Sequence, residues 1–120
     1  MDISKTIAAM KADPAFADHV GMVLVHNGIV RGWSRETRGQ VAGIKVSVDE
    51  LCLERIRRDI EQMTWIYKVA VEARAGTLQP GDDLLFLVVA GDIRENVKPA
   101  LALMLDRVKS EAVSKRELFK

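Results

Sequence analysis

Leu84-Leu85-Phe86-Leu87-Val88-Val89 is a run with no polar residue to place on a wet face. A strand of that composition is covered on both sides, so it belongs in the middle of a sheet. After Gly91 the spacing turns helical: Val97, Leu101, Met104, Leu105 and Val108 fall three or four apart and form one apolar stripe. A core helix follows the central strand. Pro99 breaks the local rule, because Asp92 and Glu95 could cap a helix that proline should kink in its second turn. The helix therefore begins late, near Lys98, or bends. Arg94 stands near its start and Lys109 near its end, and fixed cations at the ends of a packed element suit an anionic ligand.

Working outward, Pro80-Gly81 is a turn, with proline setting φ at one central position and glycine accepting positive φ at the next. Before it, Trp65, Tyr67, Val69 and Val71 alternate with Ile66, Lys68, Ala70 and Glu72, which predicts a strand with one largely apolar face. Ser47 and Glu50 have capping-box spacing, and Val46 and Leu51 stand as a hydrophobic staple, so a helix is expected from Val48. Leu53, Ile56, Ile60 and Met63 make its buried stripe. Val41 to Val46 and Gly21 to Val25 read as further strands, and Asn27-Gly28 implies a bend or bulge after the second of these. Gly32 to Gly39 has loop composition and is expected to be mobile. Ile3 to Lys11 predicts a peripheral amphipathic helix ended by Asp13-Pro14.

The order helix, strand, strand, helix, strand, strand, helix lacks strict alternation and points to an α+β domain, a mainly antiparallel sheet with helices packed on it. One domain spans residues 1–120, with 1–18 as helix and lead-in and 116–120 as a tail. Apolar residues make up 48% and charged residues 29%, a globular balance. The net charge of +1 gives no global field toward nucleic acid or a membrane surface, so any basic site is local. Cys52 is the only cysteine, which excludes an internal disulfide and a thiolate zinc site and fits a reducing compartment. A cytoplasmic location is expected, since no run approaches a membrane span and Met1-Asp2-Ile3-Ser4-Lys5 does not open like a signal peptide. Phosphate-binding glycine loops, nucleophile elbows and paired histidines at metal spacing are absent. His19 and His26 read as ordinary loop and strand residues, and Cys52 as a small helix-face residue.

Four places in order resemble the large, catalytic subunit of molybdopterin synthase, over about Val20 to Lys115. Gly28-Ile29-Val30-Arg31 is similar to that family's Gly-Thr-Val-Arg, and Ala75-Gly76-Thr77-Leu78-Gln79-Pro80-Gly81-Asp82-Asp83-Leu84-Leu85-Phe86 to its Ile-Gly-x-Leu-x-Pro-Gly-Asp-x-x-Val-Phe segment. Arg94 falls where the family has a His-Arg pair, and Lys109 to Glu117 resembles its Lys-x-x-Ala-Pro-Phe-Trp-Lys-x-Glu. The departures are Ile93 in the histidine position and Val113-Ser114 in place of Pro-Phe-Trp, one residue short, which leaves Lys115 or Arg116 in the second basic position. The chain also stops sooner than the family usually does.

The resemblance implies an α/β hammerhead type of fold and a homodimer. It implies a small sulfur-carrier subunit whose C-terminal Gly-Gly thiocarboxylate enters a pocket and delivers sulfur to a cyclic pterin phosphate, forming molybdopterin with no resident cofactor or metal. By the same resemblance Lys109 and Lys115 are the catalytic candidates, and Arg31, Arg94 and Arg116 bind the anionic groups. Arginine offers a planar fork to phosphate or carboxylate, and a lysine whose pKa is lowered can move protons or act as a nucleophile. The alternative is a non-catalytic, homodimeric binding or scaffold protein of the same fold.

Overall fold

A computed structural model describes all 120 residues. The elements run α1 (Ile3–Lys11), α2 (Phe16–His19), β1 (Met22–Ile29), β2 (Val41–Val48), α3 (Glu50–Glu61), β3 (Ile66–Ala73), β4 (Gly76–Leu78), β5 (Asp83–Gly91), α4 (Arg94–Arg107), a π-helical turn (Val108–Ala112) and β6 (Val113–Phe119). They build two antiparallel sheets of three strands, ordered β1-β5-β3 and β4-β2-β6. The α+β expectation holds. No helix is long and apolar enough to cross a membrane.

Strand β5 is the centre of the first sheet, and Leu85 through Gly91 are all buried. Leu85, Leu87 and Val89 face α3 and α4 in a cluster with Ile56, Ile60, Val97 and Met104. Val88 and Ala90 face the other way, onto Met10 of α1. Two covered faces are why the sequence could dispense with alternation there. The second sheet has a smaller core of Val30, Val41, Ile44, Val46 and Leu78.

Several local expectations shift for nonlocal reasons. Ser47 and Val48 pair with Ser114 and Val113, so β2 continues past the expected cap and Asp49 becomes the N-cap, its carboxylate accepting from Cys52 N at 3.0 Å. The helix starts at Glu50 rather than Val48. Met63 lies beyond the end of α3 and is exposed, so Cys52 takes its place beside Leu53, Ile56 and Ile60. A register irregularity between Ile66 and Lys68 puts Ile66 and Val69 in the core together and leaves Trp65 exposed before β3 begins. The bulge expected after Asn27 falls between Gly28 and Ile29. Gly81, at φ +93°, makes the expected turn before β5.

Helix α4 begins at Arg94, ahead of Pro99, rather than near Lys98. Its first turn is closed by Asn96 N and Val97 N donating to Ile93 O, while the Asp92 carboxylate accepts from the Asn96 side chain. These bonds form before the missing N–H of proline matters. The chain then widens into the π-helical turn. Residues 116–120 are not a free tail: β6 pairs along β2 from Val113↔Val48 to Phe119↔Val41.

Candidate functional site

Three segments converge on a cleft of about 1210 Å³: the end of β1 with the loop after it, the π-helical turn, and β6. His26, Arg31 and Arg35 enter from the first, Lys109 from the second, and Lys115 and Arg116 from the third. Glu36 and Glu117 are the carboxylates on its wall. None of Arg31, Arg35, Lys109, Lys115 or Arg116 forms a salt bridge; the ion pairs of the molecule lie elsewhere. Uncompensated cations around a concavity attract an anion.

Each segment is held in place. Arg107, one residue before the π-helical turn, donates to Glu111 at 2.9 Å and to Asp59 of α3 at 2.8 Å. Asp49 N donates to Ala112 O at 2.8 Å, and the Cys52 thiol reaches Glu111 O at 3.6 Å. The turn that carries Lys109 is thus fixed to α3, with Cys52 as a buried structural contact. π-Helical turns are rare and occur frequently at functional sites.

The loop is closed on itself. Trp33 bridges Gln40, Ser34 N donates to Gly39 O, and Arg38 N donates to Ser34 O with Arg38 at φ +62°. Arg31 and Arg38 lie over the Trp33 ring at 4.9 and 4.8 Å from its centroid. A planar cation stacked on a ring keeps its edge free for hydrogen bonds. Ser34 is almost wholly buried, and its hydroxyl donates to Glu117 Oε1 at 3.0 Å, which ties the loop to β6.

Directly opposed residues of an antiparallel pair share a face. Lys115 opposes buried Val46, and Glu117 opposes buried Ile44, whereas Arg116 opposes exposed Lys45. Lys115 therefore stands on the covered side of the sheet and Arg116 on the wet one. Its side chain still reaches solvent, but the protein around it removes part of its hydration. Burial first, then the charges of Arg31 and Lys109, hold Lys115 below the ordinary lysine value of 10.5, while Glu117 opposes them. His26 is held below 6.5, first by burial and then by the charge of Lys109.

Of the residues expected at a shared site, the chain brings together Arg31, Lys109, Lys115 and Arg116. Arg94 is not among them. It lies at the other end of α4, roughly 20 Å of helix from Lys109, 80% exposed and 3.6 Å from Glu95. The amphipathic stripe that packs α4 fixes its two ends far apart within one chain. His26, Ser34, Arg35 and Glu117 were not expected. Only Glu117 had a local signal, as a carboxylate two residues past Lys115. No group of histidine, cysteine and carboxylate side chains is arranged to hold a metal.

The family model described as MoaE protein matches residues 1–111. The chain is similar to the molybdopterin cofactor biosynthesis protein E from Burkholderia multivorans, with TM-score 0.75 and 23% identity over 100% of this chain and 82% of that one. It is similar to molybdopterin synthase from Staphylococcus aureus, with TM-score 0.72 and 21% identity over 84% and 76% of the two chains. A complex of subunits 1 and 2 of the molybdopterin-converting factor from Helicobacter pylori matches with TM-score 0.71 and 19% identity over 99% and 80%. No curated protein matches the chain. At these identities the solved structures establish the fold.

Proposed function

Because the chain belongs to the MoaE protein family, and so to molybdenum cofactor biosynthesis, we propose that its basic cleft is where a carrier subunit's thiocarboxylate meets a cyclic pterin phosphate. The observation that carries the reading is the convergence of Arg31, Lys109, Lys115 and Arg116 on one cleft with no salt bridge to any of them. Arg31, stacked on Trp33, offers its guanidinium edge to the phosphate. Lys109 neutralises the anionic tail of the carrier, and Arg116, on the outer face of β6, adds positive charge at the rim of the cleft. Lys115, held below its ordinary range, has the larger share of neutral amine needed to take a proton or to attack the thiocarboxylate carbon. The carrier's sulfur bonds to a pterin side-chain carbon as the C–O bond there breaks and the oxygen leaves with a proton; water then cleaves the sulfur–acyl bond, returning the carrier as its carboxylate and leaving the sulfur on the pterin as a thiol.

The H. pylori complex of two subunits supports a small partner for this chain. In a homodimer, the exposed Arg94 of a second copy supplies the cation that one chain cannot. We place the protein in the cytoplasm, where thiols stay reduced.

Reconstitution with a thiocarboxylated carrier and the cyclic pterin phosphate tests the reading. Wild type should form molybdopterin, and Lys109→Ala or Lys115→Ala should lose it by at least about a hundredfold, within the range of a proton-transfer group. Ile93, where the resembling family has histidine, favours a second reading: a homodimeric binding protein of this fold without turnover. A wild-type protein that binds carrier yet forms no product, where a working synthase does, decides for the second.

A further inference from the structure

We propose that His26 is a ligand-contacting residue of the cleft, taking up a proton as a phosphate-class anion arrives and so adding a positive donor that the free protein lacks. The inference rests on the anion-binding reading of the cleft. Its own basis is the placement of one imidazole. His26 shares a face of β1 with Met22 and Leu24, which pack on the main core, but it lies at the end of the strand where that face opens into the cleft. Gly28, next on the same face, leaves room for the ring: a Cβ there would stand 3.2 Å from His26 Nε2 and 3.5 Å from Leu85 Cβ. The imidazole is half-buried, in no salt bridge, and accepts or donates no side-chain hydrogen bond within the chain. A polar ring so placed has its hydrogen-bonding capacity available to a ligand.

The surrounding charges set its protonation. Lys109 faces it from the π-helical turn; Lys115, Arg116 and Glu117 line the same cleft from β6, and Arg31, Arg35 and Glu36 from the loop. Burial and Lys109 disfavour the charged form of the free imidazole. An anion between His26 and Lys109 cancels the opposing field and accepts a hydrogen bond from the imidazolium, which favours the charged form. The sign of the coupling follows. With the bound-state pKa above the free-state one, affinity is lowest at high pH and rises as pH falls through that interval, by up to about tenfold per pH unit.

The experiment uses the full chain and sulfate, which does not titrate in this range, at constant ionic strength with chloride as the balancing ion. The His26 ring protons are followed by NMR from pH 4.5 to 8.5, with His19, which stacks on Tyr67 at 5.0 Å outside the cleft, as the internal reference. Saturating sulfate should raise the His26 midpoint and leave that of His19 in place. Sulfate affinity measured by calorimetry should rise as pH falls in wild type and lose that dependence in His26→Gln. Sulfate bound by wild type with an unmoved His26 midpoint overturns the proposal while the anion site stands. No sulfate binding by wild type, with the fold intact, removes the anion site and this inference with it.

Discussion

Strands β5 and β6 are both antiparallel, and both follow a stretch that fixes where they begin, yet they present opposite problems to the chain. In β5 seven consecutive residues are buried; in β6 none is. The first strand lies between two neighbours with helices on one face and α1 on the other. The second is an edge with one neighbour and a cleft. A strand covered on two faces must be apolar throughout, and its stability is its purpose. A strand that walls a cleft can carry Lys115, Arg116 and Glu117, and its stability comes from the partner strand.

The largest effect should therefore come from the first region. Leu87→Ala, at a side chain with no solvent exposure, should cost about 3 kcal/mol by removing buried methyl groups and leaving a cavity. Lys115→Ala should change stability by less than about 0.5 kcal/mol. Urea unfolding of both variants measures the contrast. Comparable losses would mean that the two strands are not divided between scaffold and site.

A smaller effect sharpens the boundary between them. The Ser34 hydroxyl is buried and donates to Glu117 across the gap between loop and β6. Ser34→Ala should lower stability by about 1 kcal/mol, the net worth of such a bond with an acceptor that retains access to water. Unfolding in urea with an unchanged midpoint would show that the loop is not fastened to β6 by this contact.

The same contrast explains what could be read from the sequence. Leu84 to Val89, the stripe on α4, the helix at Ile3–Lys11 and the Pro80-Gly81 turn are written in local composition, because each is dictated by burial or by backbone geometry at that spot. Strand β6 is not. Val113-Ser114-Lys115-Arg116-Glu117-Leu118-Phe119 has no apolar face and contains good helix formers, so only its pairing with β2 makes it a strand. That same pairing carried β2 through Ser47 and moved the helix cap to Asp49. Leu78 alone marks β4, whose three residues are too short for a period. Within the candidate cleft, Arg31, Lys109 and Lys115 are legible through family motifs, whereas His26 and Ser34 owe their places in it to neighbours far along the chain. Arg94 shows the converse: a motif can mark a residue that the fold does not bring to the cleft.

The finest test concerns the charge of Lys115 alone. An ordinary lysine is neutral to less than about 1% at pH 8, and only the neutral amine reacts with acylating reagents. Burial, Arg31 and Lys109 disfavour the ammonium form of Lys115, so at pH 8 it should acylate several-fold faster than the exposed lysines of α1, as read by peptide mass spectrometry. Glu117 works against this shift, and its replacement separates charge from geometry. Glu117→Gln retains an oxygen to accept from Ser34 but removes the negative charge, so the Lys115 pKa should fall further and its acylation at pH 8 should quicken. Removal of a cation has the opposite sign: Lys109→Met should raise the Lys115 pKa and slow the reaction. If both substitutions moved the rate in the same direction, access of the reagent rather than electrostatics would govern it. The cleft would then be distinguished from the core by exposure alone.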